Sequence, residues 1–357
     1  MSTSPDQVTI RLIVDAAVRA PSVHNSQPWL WEYDGDRLHL MADWSRQLRY
    51  ADPEGRDLLI SCGAALHHVS VASAAFGWSA TIHRLPDRPD ERRLATISFT
   101  PSGTNEVHQA ALQVLHQRRT DRRMPSSQPI PPEKLEALVR AATLHGAFAT
   151  PLPDEASDQL RDLMMLSSVL QQSSDAYLEE LAHWTHSTGD DGVPDSSVVW
   201  TPGRSITGGA GTRFPSGRLL DHEPEGKPRQ AWILLTTSSD DTTSRLRAGE
   251  ALSAILVMAS LQGLSVVPYT QPIEVDTTRR GVEHALLRGS ANLQVILRVA
   301  VPPQEKPTVR QTRRRPIDAV LTTPWSAQTD ESAHIDESGQ TVESDQHERA
   351  GAEAKAE

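Results

Sequence analysis

Cysteine is nearly absent: a single residue, Cys62, stands among 357. No internal disulfide can form, and this usage fits a reducing cytosol, so a cytoplasmic location is expected. Cys62 falls in a helical run, where a buried, inert thiol is its expected state. Long hydrophobic stretches are missing as well. None approaches the roughly 20 residues of a membrane-crossing helix. The opening MSTSPDQ has neither a basic nor an apolar signal region, so no secretory signal is expected. Positive charge is short, with Lys+Arg 35 against Asp+Glu 46 and a net charge of −11. Nine acids against Arg349 and Lys355 give residues 326–357 a charge of −7, leaving −4 for the rest. A mildly acidic body gives nucleic-acid binding little electrostatic support. Also missing are H-E-x-x-H, a Cys/His pairing suited to zinc, G-x-S-x-G and a P-loop. Hydrolase and nucleotide-triphosphatase readings therefore have nothing to rest on. The 14 histidines include His67-His68 and the pair His183 and His186, which lack a third ligand and read as surface or core residues. GAGTRF, from Gly209, falls short of a dinucleotide fingerprint because Phe214 stands at the last glycine.

What is present is a repeated order of elements. Residues 6–20 carry Val8, Leu12 and Ala16 at helical spacing ahead of Pro21. WLWEY and RLHLM, joined through Asp34-Gly35, read as a hairpin. A long apolar helix from about Gly55 to Phe76 stops at Gly77. Strands near 79–85 and 94–100 and a helix over 105–117 follow. The order then recurs. PPEKLEALVRAATLHG is a helix with Pro132 in its first turn, a long helix covers about 154–187, and AWILLTTS (231–238) is a strand. A helix over 242–262 and the strands LSVVPYT and LQVILRVAV complete it. GAALHHVSVASAAFG begins at Gly63 and GEALSAILVMASLQG begins 186 residues later at Gly249, each closing on a glycine after 14 residues. The helix ends near Pro21 and Gly146 are only 125 apart, so the second half must carry an insertion of about 61 residues. It includes most of the 154–187 helix and TPGRSITGGAGTRFPSGRLL.

Three polar segments stand out. RAPSVHNSQPW (Arg19 to Trp29) reads either as caps and turns entering a strand or as donors that hold a ligand. HQRRTDRRMP (His116 to Pro125) crowds four arginines into six residues. Such guanidinium groups repel one another unless solvent or an anion compensates, and Thr120 adds a hydroxyl. RQTRRRPIDAVL places Arg313, Arg314 and Arg315 before Pro316, as a basic hinge or as the partner of the first cluster in a phosphate pocket.

Together APSVHNSQPW, RRTDRR and RRRPIDAVL resemble the flavin-dependent nitroreductase superfamily, most of all its Acg-type branch, over about residues 6–323. The resemblance implies an α+β, nitroreductase-like fold: two tandem degenerate halves packed as an intramolecular pseudo-dimer, each a mixed or antiparallel sheet flanked by helices. The halves are 1–104 and 105–325, the second with a lid-like insertion at about 188–228, and 326–357 is an acidic disordered tail. It implies an FMN site with Pro21, Ser22, Asn25 and Gln27 supplied from one half. Arg118, Arg119, Thr120 and Arg122 match the family's phosphate-binding motif, with Thr120 keeping the hydroxyl of the usual serine. Arg314 matches a C-terminal arginine of the family. Thr312 replaces the basic residue common two positions earlier, leaving Arg313 or Arg315 to substitute. Pro268, Tyr269, Thr270 and Gln271 match a stretch whose backbone amides face the flavin N5.

The first half keeps the Ser-Asn-Gln segment but has no arginine motif before its first helix. The second keeps the arginine motif but has HGAFATPLP where the other segment belongs. Complementary losses imply one FMN per chain, at the interface of the halves. The expected chemistry is two-electron transfer from NAD(P)H through FMN to a small electron acceptor, with no side chain required as acid or base and no catalytic residue assigned. If the glycine-rich lid closes permanently, the alternative is an FMN-binding or storage protein with little or no turnover.

Overall fold

The computed structural model describes residues 4–86, 90–200, 213–221, 223–303 and 309–324. The core of the expected lid, 201–212, and the acidic tail lie outside the described residues.

Helix α1 (Gln7–Ala17) starts where Asp6 accepts a hydrogen bond from the Thr9 amide at 2.8 Å. The hairpin β1 (Trp29–Tyr33) and β2 (Leu38–Ala42) follows, then the 20-residue helix α2 (Arg56–Ala75), then β3 (Trp78–Arg84) and β4 (Arg93–Pro101). Helix α3 (Glu106–Gln117) places Val114 and Leu115 in the first half's core, although it falls after residue 104. The second half runs α4 (Pro132–Thr143), β5 (Phe148–Pro151), α5 (Ser157–Gln172), α6 (Asp175–His183) and β6 (Ala231–Thr237). It continues through α7 (Thr242–Leu261), β7 (Ser265–Tyr269), the short α8 (Gln271–Glu274), α9 (Asp276–Leu287) and β8 (Asn292–Ala300). Strand β9 (Leu321–Thr322) ends the described chain.

The single helix expected over 154–187 is broken. Ser173 follows α5, and Ser174 caps α6 by accepting from the Tyr177 amide at 3.3 Å, a start signal strong enough to outcompete continuation. Contrary to the expectation from apolar runs, α2 is long and apolar enough to cross a membrane, but 83% of that stretch is buried inside the fold. An all-round apolar helix is the signature of a core element.

The sheets repeat one topology. The first is ordered β3-β4-β2-β1, extended by β9, and the second is ordered β7-β8-β6-β5. Replacing each strand of the first by its successor in the second reproduces the order. All pairings are antiparallel except β9, which adds in parallel beside β1, with Trp31 opposite Leu321. The C-terminal segment thus returns to the first half and carries Arg313–Arg315 with it. Along β6, Ile233 and Leu235 face the core under α4 and α7, while Trp232 and Leu234 face α5, α8 and α9. This alternation explains why β6 and β8 read as unbroken apolar runs: both faces are covered.

Helices α2 and α7 pack along each other at the centre, and their contact is reciprocal. A Cβ added at Gly63 would lie 2.0 Å from the Leu246 carbonyl oxygen, and one added at Gly249 would lie 2.0 Å from that of Ile60. Each helix also lends residues to the other half, Ile60 to the second core and Leu246 and Val257 to the first. His67 Nδ1 lies 2.8 Å from Ser253 Oγ. Gly63 and Gly249, Ile60 and Leu246, and His67 and Ser253 are all 186 positions apart, so the contact has local twofold character. His68 Nδ1 is bonded to the Ala16 carbonyl at 2.9 Å, and these two histidines are core residues.

Beside the α2–α7 crossing, Arg84 at the end of β3 grips Glu250 of α7 through two bonds of 2.7 and 2.6 Å. His145 stands 3.9 Å from the same carboxylate. Burial pushes the Glu250 pKa up, but His145 and Arg84 outweigh it and hold the carboxyl below its ordinary value. Stability from this cluster is therefore full above the unfolded pKa and lost as pH falls through the lowered one. Glu250→Ala is expected to cost about 3 kcal/mol, because it strands Arg84 beside a buried gap, as measured by urea unfolding at pH 7.

Candidate functional site

The segment after α1 is held in an unusual backbone. His24, Asn25 and Gln27 have φ of 46°, 57° and 51°, a left-handed conformation uncommon outside glycine. Ser22 fixes it: its hydroxyl accepts from the Gln27 amide at 3.0 Å, and its carbonyl accepts from Asn25 at 3.1 Å. Ser61 of α2 accepts from the Val23 amide at 3.1 Å. A simple strand entry would need none of this.

The loop borders a cleft lined by elements of both halves. Pro21, Ser22, Thr120 and Arg122 form one side, and Pro268, Tyr269, Thr270 and Gln271 at the end of β7 form another. Helix α2 contributes Asp57, Ile60 and Ser61, and α7 contributes Leu252. A second, cationic pocket shares Pro21, Ser22, His24, Thr120 and Arg122 with the first, so the two are continuous. Arg19, Asn25, Arg118, Arg119 and Arg314 line it. Every residue expected at the site lies on one of these pockets except Gln27 and Arg315. Gln27 is fully buried, donating to the Asp190 carbonyl at 2.8 Å and accepting from the Arg315 amide at 2.9 Å. Arg315 turns to Asp43 and the Gln27 carbonyl. Asn25 reaches the pocket, but its amide nitrogen donates to the carbonyls of Gly192 and Arg313. These amides therefore fasten the loop to the insertion and the C-terminal segment.

The arginine motif divides its labour. Arg123 pairs with Asp121 at 2.7 Å, and Arg298 donates to the carbonyls of both residues. Arg119 caps the end of α3 through the carbonyls of His116 and Arg118. Arg314 does the same for α1, donating to Val18 at 2.9 Å and to Arg19 and Ala20. Arg118 is different: its Nε and Nη1 are buried with no hydrogen-bond partner among the described residues. Burial and neighbouring cations push Arg118 down to about 10 and Arg314 down to about 9. A cationic pocket with unspent donors is chemically matched to an anion.

His24 and the pair Arg213 and Phe214 were not legible as site residues. His24 is buried, neither ring nitrogen has a partner among the described residues, and its ring meets Phe214 edge-on at 5.2 Å. Burial, with Arg213 and Arg122, holds its pKa well below the usual value, so the imidazole is neutral. Arg122 stacks over Phe214 at 5.0 Å. Arg213 pairs with Glu274 at 2.6 Å and donates to Thr270 at 2.9 Å. The signal for these residues was GAGTRF, which matters here for its last two side chains.

The chain is an α+β protein with two halves around a cleft that is cationic at one end and apolar at the other. A Mycobacterium tuberculosis H37Rv protein named "Putative NAD(P)H nitroreductase Rv3131" is 35% identical over 328 residues, covering 90% of this chain and 93% of its own. Another from the same organism, "Putative NAD(P)H nitroreductase acg", is 34% identical over 316 residues, covering 87% and 95%. The solved structure of the FMN-dependent nitroreductase NfnB from Mycobacterium smegmatis in complex with NADPH overlaps 59% of this chain and 100% of its own at TM-score 0.37 and 11% identity. No protein-family model matches the chain. The chain belongs to the Acg-type branch of the nitroreductase superfamily.

Proposed function

We propose that the protein is an NAD(P)H-dependent oxidoreductase that holds one FMN per chain in the cleft between its halves. The observation that carries this reading is the pair of unspent Arg118 donors in a cationic pocket that opens directly into an apolar cleft. Arg118, Arg119 and Thr120 would hold the phosphate. Pro21 and Ser22 would border the ribityl chain, and the 268–271 backbone, with Leu252 and Ile60, would enclose the ring. Bound FMN supplies hydride acceptance and donation, and the protein supplies orientation and electrostatics. The relatives' names support the nicotinamide as reductant.

A single site is supported by the place across the α2–α7 axis. There the end of β3, the counterpart of β7, is locked by Arg84 to the buried Glu250 carboxylate. The test is direct. Purified protein is expected to carry close to one FMN per chain by absorbance and to bleach when NADPH or NADH is added without oxygen; two flavins per chain, or none, would refute the reading.

A second reading, an FMN holder with little turnover, is favoured by the buried Arg213–Glu274 pair, which fastens the insertion beside Thr270 at the cleft. Protein that binds FMN tightly but stays oxidised with excess nicotinamide would establish it over the reductase.

A further inference from the structure

The cleft carries one carboxylic acid, and the binding role above does not use it. Asp57 sits in the first turn of α2, lines the cleft and is 4% exposed, and its Oδ2 is buried without a hydrogen-bond partner among the described residues. The charged groups facing it are Asp52, Glu274, Arg213 and Arg56. Each is committed elsewhere. Asp52 accepts from the Leu58 amide at 2.9 Å, with the Asp57 and Arg56 amides also directed to it, and so takes the donors at the start of α2. Glu274 accepts from Arg213 at 2.6 Å and from Thr270 and Gln171, each at 2.7 Å. Arg56 is bound through its two terminal nitrogens to Asp240, the Leu293 carbonyl and Gln294, and only its Nε is left without a partner among the described residues.

Two further carboxylates nearby and no paired cation make a second buried charge costly. Burial above all, then Asp52 and Glu274, raise the Asp57 pKa well above its ordinary value, and burial raises that of Asp52 to about 7. Asp52 keeps the helix amides that favour its charge, so the proton resides on Asp57. Among the described residues lining the cleft, Asp57 is the one carboxylic acid. Arg122 and Arg213 do not release protons, His24 is a neutral imidazole, and the hydroxyls of Ser22, Ser61 and Thr120 are too weak.

We propose that Asp57 is the proton donor of the cleft, delivering the Oδ2 proton to an acceptor oxygen as the acceptor takes up a hydride. This rests on the FMN reading above. For an acceptor of the quinone class the step balances. The hydride, which originates from the nicotinamide, brings two electrons and one proton. The Asp57 O–H bond breaks as an acceptor O–H bond forms, and the product is the hydroquinone. The carboxylate then regains its proton from water.

The test uses FMN-loaded protein, chemically reduced without oxygen and mixed with either 1,4-benzoquinone or ferricyanide, which takes electrons without a proton. Asp57→Asn keeps the shape and removes the acid. It is expected to slow reoxidation by the quinone at least tenfold, consistent with the size of general-acid effects, and to change reoxidation by ferricyanide less than threefold. Equal slowing by both acceptors, or none, would overturn the proposal. Infrared spectra of wild type carrying carboxyl-labelled aspartate provide a readout independent of turnover and of the variant's folding. At pH 8 an isotope-sensitive protonated-acid band is expected. Its absence overturns the proposal whether or not FMN binds, whereas a protein that shows the band but retains no FMN contradicts only the cofactor reading and with it this role.

Discussion

Arg118→Met is expected to lose FMN on gel filtration while the ligand-free variant melts higher than ligand-free wild type. Both effects have one cause. Without an anion, Arg118 holds two buried donors with no partner, a cost of about 1–3 kcal/mol for a buried unsatisfied group. The rest of its side chain is only partly buried, so roughly 1 kcal/mol is the expected gain when methionine fills the space with apolar atoms. When phosphate is present those donors are paired, and truncating one partner of a buried hydrogen-bonded charge pair costs about 2–5 kcal/mol. The dissociation constant for FMN should therefore rise by roughly two to three orders of magnitude. Arg315→Met is the control. Arg315 lines neither pocket and bonds to Asp43 and the Gln27 carbonyl. Its loss should lower the melting temperature and leave FMN affinity within a few fold. Retained FMN in the Arg118 variant, or a lower melting point of its ligand-free form, would contradict the assignment.

The site was legible where its signal was local. Ser22, Asn25 and Gln27 stood out because polar residues crowd a helix–strand junction, and the arginines stood out because like charges in sequence demand compensation. What each group does was not legible. Asn25 and Gln27 spend their amides on Gly192 and Asp190, partners more than 160 residues away, and a sequence window contains neither. His24 looked like filler between motif positions until its backbone and orphaned ring were seen. The same limit applied to the fold. Helices with clean caps and two-faced strands were readable, but β5 is four residues long and gains its register only from β6, beyond the insertion. Strand β9 is two residues long and belongs to the other half's sheet. Helix α9 was hidden by Gly281, a poor helix former. A Cβ there would meet only the tip of the Leu163 side chain on α5, at 2.9 Å, which that side chain can yield.

Gly63→Ala and Gly249→Ala are each expected to unfold the protein or destabilise it by more than about 3 kcal/mol, the range of severe core disruption. Each new methyl group would meet a backbone carbonyl at 2.0 Å, Leu246 in one case and Ile60 in the other. A flexible side chain could rotate away; a backbone oxygen moves only if its helix moves. The response must therefore be separation of α2 from α7. That displacement should reach the cleft, because Asp57, Ile60 and Ser61 stand on one helix and Leu252 on the other. The two substitutions strike the same crossing from opposite sides, so their effects should not add: once the helices have parted for one methyl group, the second finds room. A double-mutant cycle by urea unfolding tests this, with a coupling of at least 1 kcal/mol expected between contacting positions. Simple additivity would mean that the glycines act separately and that the reciprocal contact is not what holds the two halves in register around the cleft.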